Sequence, residues 1–503
     1  MPESPVIIVG AGIGGLAAAL ELAASGVPVE LLERQNAPGG KMRQIAIAGQ
    51  GIDAGPTVLT MRWVFDELCD LAGTTLESTV ALEPASVLAR HAWLAGGQLD
   101  LHAEHGRNLA AIGEFAGAAE ARRYEAFCSR AKRTYQALRD TFIRASRPNP
   151  LSLVARAGLR GLPDMLRISP FGTLWGALGE HFHDPRLRQL FGRYATYCGS
   201  SPFAAPATLM LIAHVELEGV WRLRGGMHGL AQALAALAEA RGVRVRYGCE
   251  VQQLEQRGGR VTGVRLSDGE HLAAAAVVFN GDASALPQGL LGQTGVQAAR
   301  GTSGRAARSL SALTWNLVAR SEGFALSHHN VFFSDDYAGE FADLFERSRL
   351  PRRPTVYICA QDRGAEQAGT PTDTERLLCL VNAPAVGDHI PDPLDPAEIE
   401  RCETETFRLL ERCGLTLAFE PRHCQRTTPR DWHRLFPGTG GALYGQASHG
   451  WQASFSRPGT VARLPGLYLA GGSVHPGPGV PMAALSGRLA ARTLLRDLTS
   501  RGT

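Results

Sequence analysis

The chain has 503 residues, 45% hydrophobic and 20% charged, and its 51 basic and 48 acidic residues leave a formal net charge of +3. This is ordinary globular composition, and at roughly 100–200 residues per domain it allows two to four domains. It excludes a disordered chain, a collagen-like repeat and a polytopic membrane protein, and it offers no basic surplus for nucleic acid.

The first element is a short β-branched run, Pro5-Val-Ile-Ile-Val9, which reads as a buried parallel strand. Gly10-Ala-Gly12-Ile-Gly14-Gly15 follows at once. A helix is predicted from Leu16 to Ser25 with Gly26 as its stop, then a second strand from Val29 to Glu33. The unit is β-turn-α-β with a dinucleotide fingerprint in its turn. Gly10 permits the tight turn, Gly12 lets backbone approach a pyrophosphate, Gly14 belongs to the same cofactor loop, and Gly15 lets helix and strand pack closely. The helix N-terminus offers N–H groups and a positive dipole end to phosphates. Glu33 stands 23 residues after Gly10, where an acid accepts ribose hydroxyls and would repel the 2′-phosphate of NADP. The apolar run from Val6 to Leu20 has 15 residues and four glycines, short of the roughly 20 that span a bilayer. No basic residue precedes it, so no signal peptide is expected.

Next come Glu33-Arg34-Gln-Asn-Ala-Pro-Gly39-Gly40-Lys41 and Gly51-Ile-Asp53-Ala-Gly55-Pro56-Thr57. Their glycines permit close backbone approach to a cofactor, and Lys41 can meet its negative charge. Residues 76 to 220 are rich in helical patterning, as from Ala118 to Phe142. Gly225-Gly226-Met227-His228-Gly229 opens a helix from Leu230 to Ala240. An alternating strand from Gly242 to Tyr247 leads to Glu250-Val251. Val261 to Leu266 with Asp268-Gly269 predicts a hairpin. Ala275 to Phe279 is another buried strand, ending in Asn280-Gly281-Asp282, and such strand ends meet cofactors in open α/β sheets. Asp282 suits a helix N-cap equally well. The last unit, Gly466 to Met482, reads as a strand and a glycine-rich turn before a helix from Ala483 to Leu498.

These stretches resemble the flavin amine oxidase and carotenoid desaturase superfamily. The resemblance lies in Gly39-Gly40-Lys41 after the second strand, in the Asp53-Ala-Gly55-Pro56 turn, and in Gly471-x-x-x-His475-Pro-Gly-x-Gly479-x-Pro481. The last motif is similar to the C-terminal signature of bacterial-type phytoene desaturases and other carotenoid desaturases. Asp53 to Thr60, Pro185 to Tyr197, Ser201 to Pro206 and Gly219 to Gly229 look closest to the 1-hydroxycarotenoid 3,4-desaturases of purple photosynthetic bacteria. One departure is Gly472, where many superfamily members place an acid.

The resemblance implies an α/β protein with FAD as cofactor. A Rossmann-like FAD-binding domain would be assembled from residues 1–75, 221–300 and 455–503. A mixed α+β substrate domain would come from 76–220 and 301–454. Beside Gly10, Gly12, Gly14, Gly15 and Glu33, the implied cofactor residues are Arg34, Gly40, Lys41, Val251, Gly471, Gly472, Val480 and Pro481. The C-terminal helix would point its N-terminus at the flavin ring, and His475 is the candidate catalytic residue. The implied reaction converts the C3–C4 bond of an acyclic 1-hydroxycarotenoid into a double bond. Phytoene desaturation is the alternative, and a flavin amine oxidase or a non-catalytic flavoprotein are the alternatives from other classes. Implied partners are the carotenoid, the surface of the inner or intracytoplasmic membrane from its cytoplasmic side, and a quinone or oxygen as electron acceptor.

Other residues carry less. None of the nine cysteines forms a CxxC pair, so neither a disulfide framework nor a zinc site is expected, and free thiols suit a reducing cytoplasm. Cys402, Cys413 and Cys424 recur every eleven residues, which reads as buried helix and strand positions. No histidines have HExxH spacing, adjacent His328 and His329 read as surface residues, and no metal is expected. Only two basic residues are lysines, Lys41 and Lys132, so single arginines say little. Leu151 to Ile168 with Arg156, Arg160 and Arg167 nonetheless reads as a basic amphipathic, interfacial segment. Tyr197, His214 and His228 are candidates for hydrogen-bonding a substrate hydroxyl.

Overall fold

The computed structural model describes residues 4–146, 172–299, 307–364 and 373–500. The fold is α/β. Its first sheet is parallel and takes strands from the whole length of the chain: β1 (Val6–Val9), β2 (Val29–Leu32), β3 (Arg244–Arg246), β4 (Ala276–Phe279) and β5 (Leu467–Leu469), in the spatial order β5-β4-β1-β2-β3. Ile8 pairs with Leu31 on one side and Val278 on the other, and Val278 pairs with Tyr468. The central strands are buried on both faces, which is why they read as continuous apolar runs rather than alternating ones.

Four helices matter for the site: α1 (Ile13–Ala24), α2 (Gly226–Ala240), α3 (Tyr337–Phe345) and α4 (Val480–Thr499). The first ten residues of α1 are all buried, as expected of a helix apolar on every side. Small residues let α4 lie against it with almost no gap: a Cβ on Gly487 would stand 1.9 Å from the Gly14 carbonyl oxygen. The polar exception is Glu21, buried between the guanidiniums of Arg488 at 2.9 Å and Arg492 at 2.7 Å. Removing one partner of such a buried pair costs about 3–5 kcal/mol, because the other charge is left uncompensated.

The second sheet runs in the order Leu415–Ala418, Ser311–Gly323, Glu375–Ala383, Val356–Ala360, His329–Phe333, Val87–Trp93, Gln98–His102, with Cys424–Thr427 also paired to Ser311–Gly323. The patterning of residues 76–220 pointed to helix, and helices do dominate there. The structure nevertheless places a hairpin, Val87–Trp93 with Gln98–His102, inside that stretch. Its anchor is the parallel pairing of Asn330 with Arg90 and of Phe333 with Trp93, far away in sequence.

Side chains alternate between the two faces of this sheet. Leu313, Trp315, Leu317, Leu377, Cys379 and Val381 enter one core, closed by Cys402, Leu409 and Leu410 from the helix Pro396–Arg412. Thr314, Thr355, Tyr357, Leu378, Leu380 and Asn382 face the other way and line a cavity. The eleven-residue cysteine spacing marks no common site: Cys402 lies in the helix, Cys413 caps its end, Cys424 starts a strand, and all nine thiols are free.

Two glycines predict opposite effects. Gly487→Val forces α4 off α1 and should lower stability by about 1–3 kcal/mol. Gly229 lies inside α2 with nothing within 4 Å of the place a Cβ would take, so Gly229→Ala should raise stability by up to about 1 kcal/mol. Chemical denaturation of the two variants against wild type checks both signs.

Candidate active site

A cavity of about 930 Å³ lies between the two sheets, near the top of the roughly 300–1,000 Å³ range of ligand pockets. Gly10, Gly12, Gly14, Glu33, Arg34, Gly40, Lys41, Val251, Gly471, Gly472, Val480 and Pro481 all line it. Gly15 and His475 are not among its lining residues. Gly15 packs behind the turn, where a Cβ would meet the Gly10 carbonyl oxygen at 2.1 Å. His475 is buried with Nε2 2.7 Å from the Ala145 carbonyl oxygen and its ring edge-on to Phe142, so it ties the glycine-rich turn to the preceding helical region instead of facing the cavity.

The dinucleotide end of the cavity is built from backbone. Gly12 caps α1 in extended conformation, and a Cβ there would come 2.8 Å from the Asn280 amide nitrogen. Gly14 is hemmed in by the Asn280 side-chain oxygen at 2.6 Å and the Gly471 nitrogen at 3.0 Å from a Cβ position. Asn280 also donates to the Gly10 carbonyl at 3.1 Å. Its role was not legible in the fingerprint; its place at a strand end was the available signal. Glu33 is held rigidly: Oε2 accepts from Ala11 N and Oε1 from Gln35 N, both at 2.8 Å. These features fit a dinucleotide: a glycine cradle that side chains would fill, amides at a helix N-terminus, and a buried acid at the end of β2.

Cations surround the same end. Lys41 donates to the Leu443 carbonyl at 2.6 Å and stands 5.5 Å over the Phe436 ring. Burial pushes its ammonium below the usual lysine range, and Asp282 offsets part of that shift. Asp282 itself caps the turn Ala283–Ala285 through Ser284 N and lines the cavity, so it does both things its sequence position allowed. Arg34 donates to the Leu435 carbonyl and lies 3.9 Å from Glu250. Buried Arg457 donates to the carbonyls of Gln446 at 2.7 Å, Tyr444 at 3.1 Å and Gly472 at 3.4 Å. The prevalence of arginine hid it in the sequence. In the Asp53-Ala-Gly55-Pro56-Thr57 turn, Gly55, Pro56 and Thr57 line the cavity, whereas the Asp53 carboxylate accepts from Met227 N and caps α2.

The other end is a largely apolar chamber with buried polar groups set in its wall. Leu209, Leu211, Ile212, Val215 and Phe142 face Leu378 and Leu380 of the sheet. Glu216 accepts from the hydroxyls of Tyr194 at 2.5 Å and Tyr197 at 2.7 Å, and Arg193 donates to Tyr197 at 3.3 Å. Burial raises the Glu216 pKa, against the pull of both tyrosines and Arg193. Tyr357 shares hydrogen bonds with Thr57 and His329, each at 2.7 Å. Burial pushes the Glu340 carboxyl up to about 7. Of the hydroxyl-binding candidates, Tyr197 and His228 line the chamber; His214 instead faces Glu218 at 3.4 Å and the Tyr135 ring.

One expectation needs correction. His329 is not a surface residue: it is the first residue of a sheet strand and is buried, half-buried His328 precedes it, and both lie with Cys359 in one cluster. Adjacency rules out a shared helix face but not a strand, whose pairing buried His329. Burial, with the Arg222 charge, holds His328 down to about 4, and burial, with His328 and Arg193 next to it, holds His329 well below its usual range. The interfacial segment Leu151 to Ile168 lies outside the described residues. Nearby arginines are engaged elsewhere: Arg144 stacks on Trp63 and pairs with Glu67 at 2.6 Å, Arg188 stacks on Trp175, and Arg193 is in the chamber wall. Among the described residues, no helix is long and apolar enough to cross a membrane.

The family described as flavin containing amine oxidoreductase matches residues 13–495. Hydroxyneurosporene desaturase of Rubrivivax gelatinosus is 55% identical over 496 residues, covering 98% of this chain and 94% of that protein. Hydroxyneurosporene desaturase of Cereibacter sphaeroides is 46% identical over 496 residues, covering 99% of this chain and 98% of that protein. Among solved structures, putrescine oxidase bound to putrescine superposes with a TM-score of 0.60 at 15% identity, covering 99% of each chain, and shares the fold alone.

Gly12→Val puts a branched side chain into the cradle beside Asn280. The purified variant should lose flavin absorbance, even after incubation with excess FAD, while keeping its far-ultraviolet circular dichroism. A second expectation concerns pH. A carboxyl whose folded pKa of about 7 exceeds the reference value of 4.5 stabilises fully below the lower value and loses that contribution as pH rises through the higher one. Wild type should therefore lose stability between those two values relative to Glu340→Gln, read as the difference between their melting temperatures across that window.

Proposed function

We propose that this chain, which belongs to the family of flavin containing amine oxidoreductases, is an FAD-dependent desaturase that turns the C3–C4 bond of an acyclic 1-hydroxycarotenoid into a double bond. The observation that carries the reading is near-full-length similarity to two proteins that both bear the name hydroxyneurosporene desaturase. The cavity supports it: one continuous space joins a dinucleotide cradle to an apolar chamber, as a water-insoluble chain brought to a flavin requires.

Two hydrogens leave the substrate, one as hydride and one as a proton from the neighbouring carbon, and the conjugated chain spreads the developing charge. Bound FAD supplies the two-electron acceptor for the hydride. The rest is the work of this chain. Gly10, Gly12, Gly14 and the N-terminus of α1 would hold the pyrophosphate, Glu33 the ribose, and the backbone at Val251 the adenine. Gly471, Gly472, Val480 and Pro481 would bring the positive end of α4 to the flavin ring, where negative charge accumulates on reduction. Lys41 and Arg457 add positive charge on that side. Leu209, Ile212, Leu378 and Leu380 align the polyene and exclude water, and correct alignment alone can supply much of the rate.

Attachment to a membrane surface from the cytoplasmic side belongs to the same proposal, with a quinone or oxygen taking the electrons onward. The substrate partitions into lipid, and Trp451, a lining residue of the cavity, is 38% exposed. Free thiols throughout the chain suit a reducing compartment.

The test presents the FAD-loaded protein with 1-hydroxyneurosporene, phytoene or a diamine, the carotenoids in vesicles and each with oxygen or an added quinone. One extra conjugated double bond, seen as a red shift of the hydroxylated carotenoid's spectrum, is expected. Multi-step desaturation of phytoene without turnover of the hydroxylated carotenoid, or oxidation of the amine alone, would overturn the assignment.

A further inference from the structure

We infer that Tyr337 and Glu340 form the subsite that binds the hydroxyl of the substrate's end group and so select the bond presented to the flavin; this rests on the carotenoid reading above. Both side chains line the cavity, and their three-residue spacing puts them on one face of α3. Tyr337 Oη and Glu340 Oε1 are buried and have no hydrogen-bond partner. Buried polar atoms are nearly always partnered, because leaving one unpaired forfeits its hydration for nothing. Two on one face of a single helix, in the wall of one cavity, call for a polar group on what fills it.

The neighbours fix the pair and narrow its ligand. Asp336 caps α3 by accepting from Gly339 N at 3.0 Å. The Tyr337 ring is wedged edge-on to Phe341 at 5.1 Å and tilted against Trp175 at 5.7 Å. Glu340 Oε2 already accepts from the Thr355 hydroxyl at 2.6 Å, and Asn382 flanks the carboxyl, so one oxygen is left to give. A tyrosine hydroxyl beside a carboxyl offers a donor next to an acceptor. An alcohol uses both at once, accepting from Tyr337 and donating to Glu340. An ammonium group could donate to both but would leave the Tyr337 proton without an acceptor, and a hydrocarbon end has nothing for either.

Several of the chamber's other polar groups already have partners. Tyr194 and Tyr197 donate to Glu216, Tyr357 bonds Thr57 and His329, and His228 Nδ1 bonds the Met42 carbonyl at 2.9 Å. Arg43 also has an unpaired buried nitrogen, but it stacks on Trp432 and can only donate. The pair lines the same cavity as the cofactor residues. In the substrate only C2 separates the hydroxyl-bearing carbon from the reacting bond, so anchoring the hydroxyl anchors C3–C4.

The experiment measures kcat/KM and, separately, dissociation constants from fluorescence quenching, for 1-hydroxyneurosporene and for neurosporene, which lacks the hydroxyl. The holoenzymes compared are wild type, Tyr337→Phe, Glu340→Gln and Glu340→Leu, with flavin content and melting temperature recorded for each. Wild type should prefer the hydroxylated carotenoid in both measurements. Tyr337→Phe and Glu340→Leu should each cut that preference by about tenfold or more, through the hydroxylated substrate, with Glu340→Gln between them and wild type. Equal losses on both carotenoids, or an unchanged preference in every variant, would overturn the subsite while leaving the desaturase reading intact. If wild type turns over neither carotenoid, the desaturase reading falls, and the ratio of dissociation constants still decides the subsite.

Discussion

Asn280 is where three distant stretches of backbone must touch. Its amide holds the Gly10 carbonyl, its oxygen lies against Gly14, and the Gly471 turn closes on it from the C-terminal end of the chain. Sites for five absent side chains, at Gly10, Gly12, Gly14, Gly15 and Gly471, converge there. No residue with a Cβ could occupy the middle of that cluster without pushing α1, β4 or the final turn apart. The cofactor cradle is thus what remains when the β1 turn, the β4 end and the entrance to α4 approach to van der Waals contact. The same closeness continues along α1 and α4 to Gly487, so helix packing and cofactor geometry are one constraint.

From that fixed end the cavity changes character. Near the cradle its charges are compensated by backbone carbonyls, as at Lys41, Arg34 and Arg457. In the chamber they are compensated by one another, as in the Arg193, Tyr197, Glu216 and Tyr194 chain. A network of that kind makes a polar spot less available to a ligand, since its members already bond one another. Unpaired atoms in the same wall are then what a ligand can read, and a chamber that must discriminate among hydrocarbons differing by one hydroxyl needs few of them.

The legible part of the sequence was the local part. Gly10 to Glu33 announces itself because strand, turn, helix and acid follow within one short stretch, and the Gly471 to Pro481 turn does so for the same reason. The second sheet did not, because its signals are distant. Val87–Trp93 has an ordinary mixed composition, and its hairpin with Gln98–His102 is joined to the sheet by pairing with the distant His329–Phe333. His329 looked like a surface residue until that pairing buried it. Arg193 and Arg457 were hidden by abundance, and Glu340 reads as one more acid on an amphipathic helix until its surroundings are known.

Alternation in the second sheet links stability to specificity. Leu377, Cys379 and Val381 face a packed core, while Leu378, Leu380 and Asn382 on the same strand face the chamber. A shift of register by one residue would exchange the two sets, putting Asn382 into a core with no partner and Cys379 into the chamber. The core side therefore sets the register, with Trp315 wedged against Phe407 and its indole N–H bonded to Glu403 at 2.9 Å. The chamber side inherits its geometry from that packing. A group such as Asn382 is then aimed beside Glu340 by the packing on the opposite face of its strand.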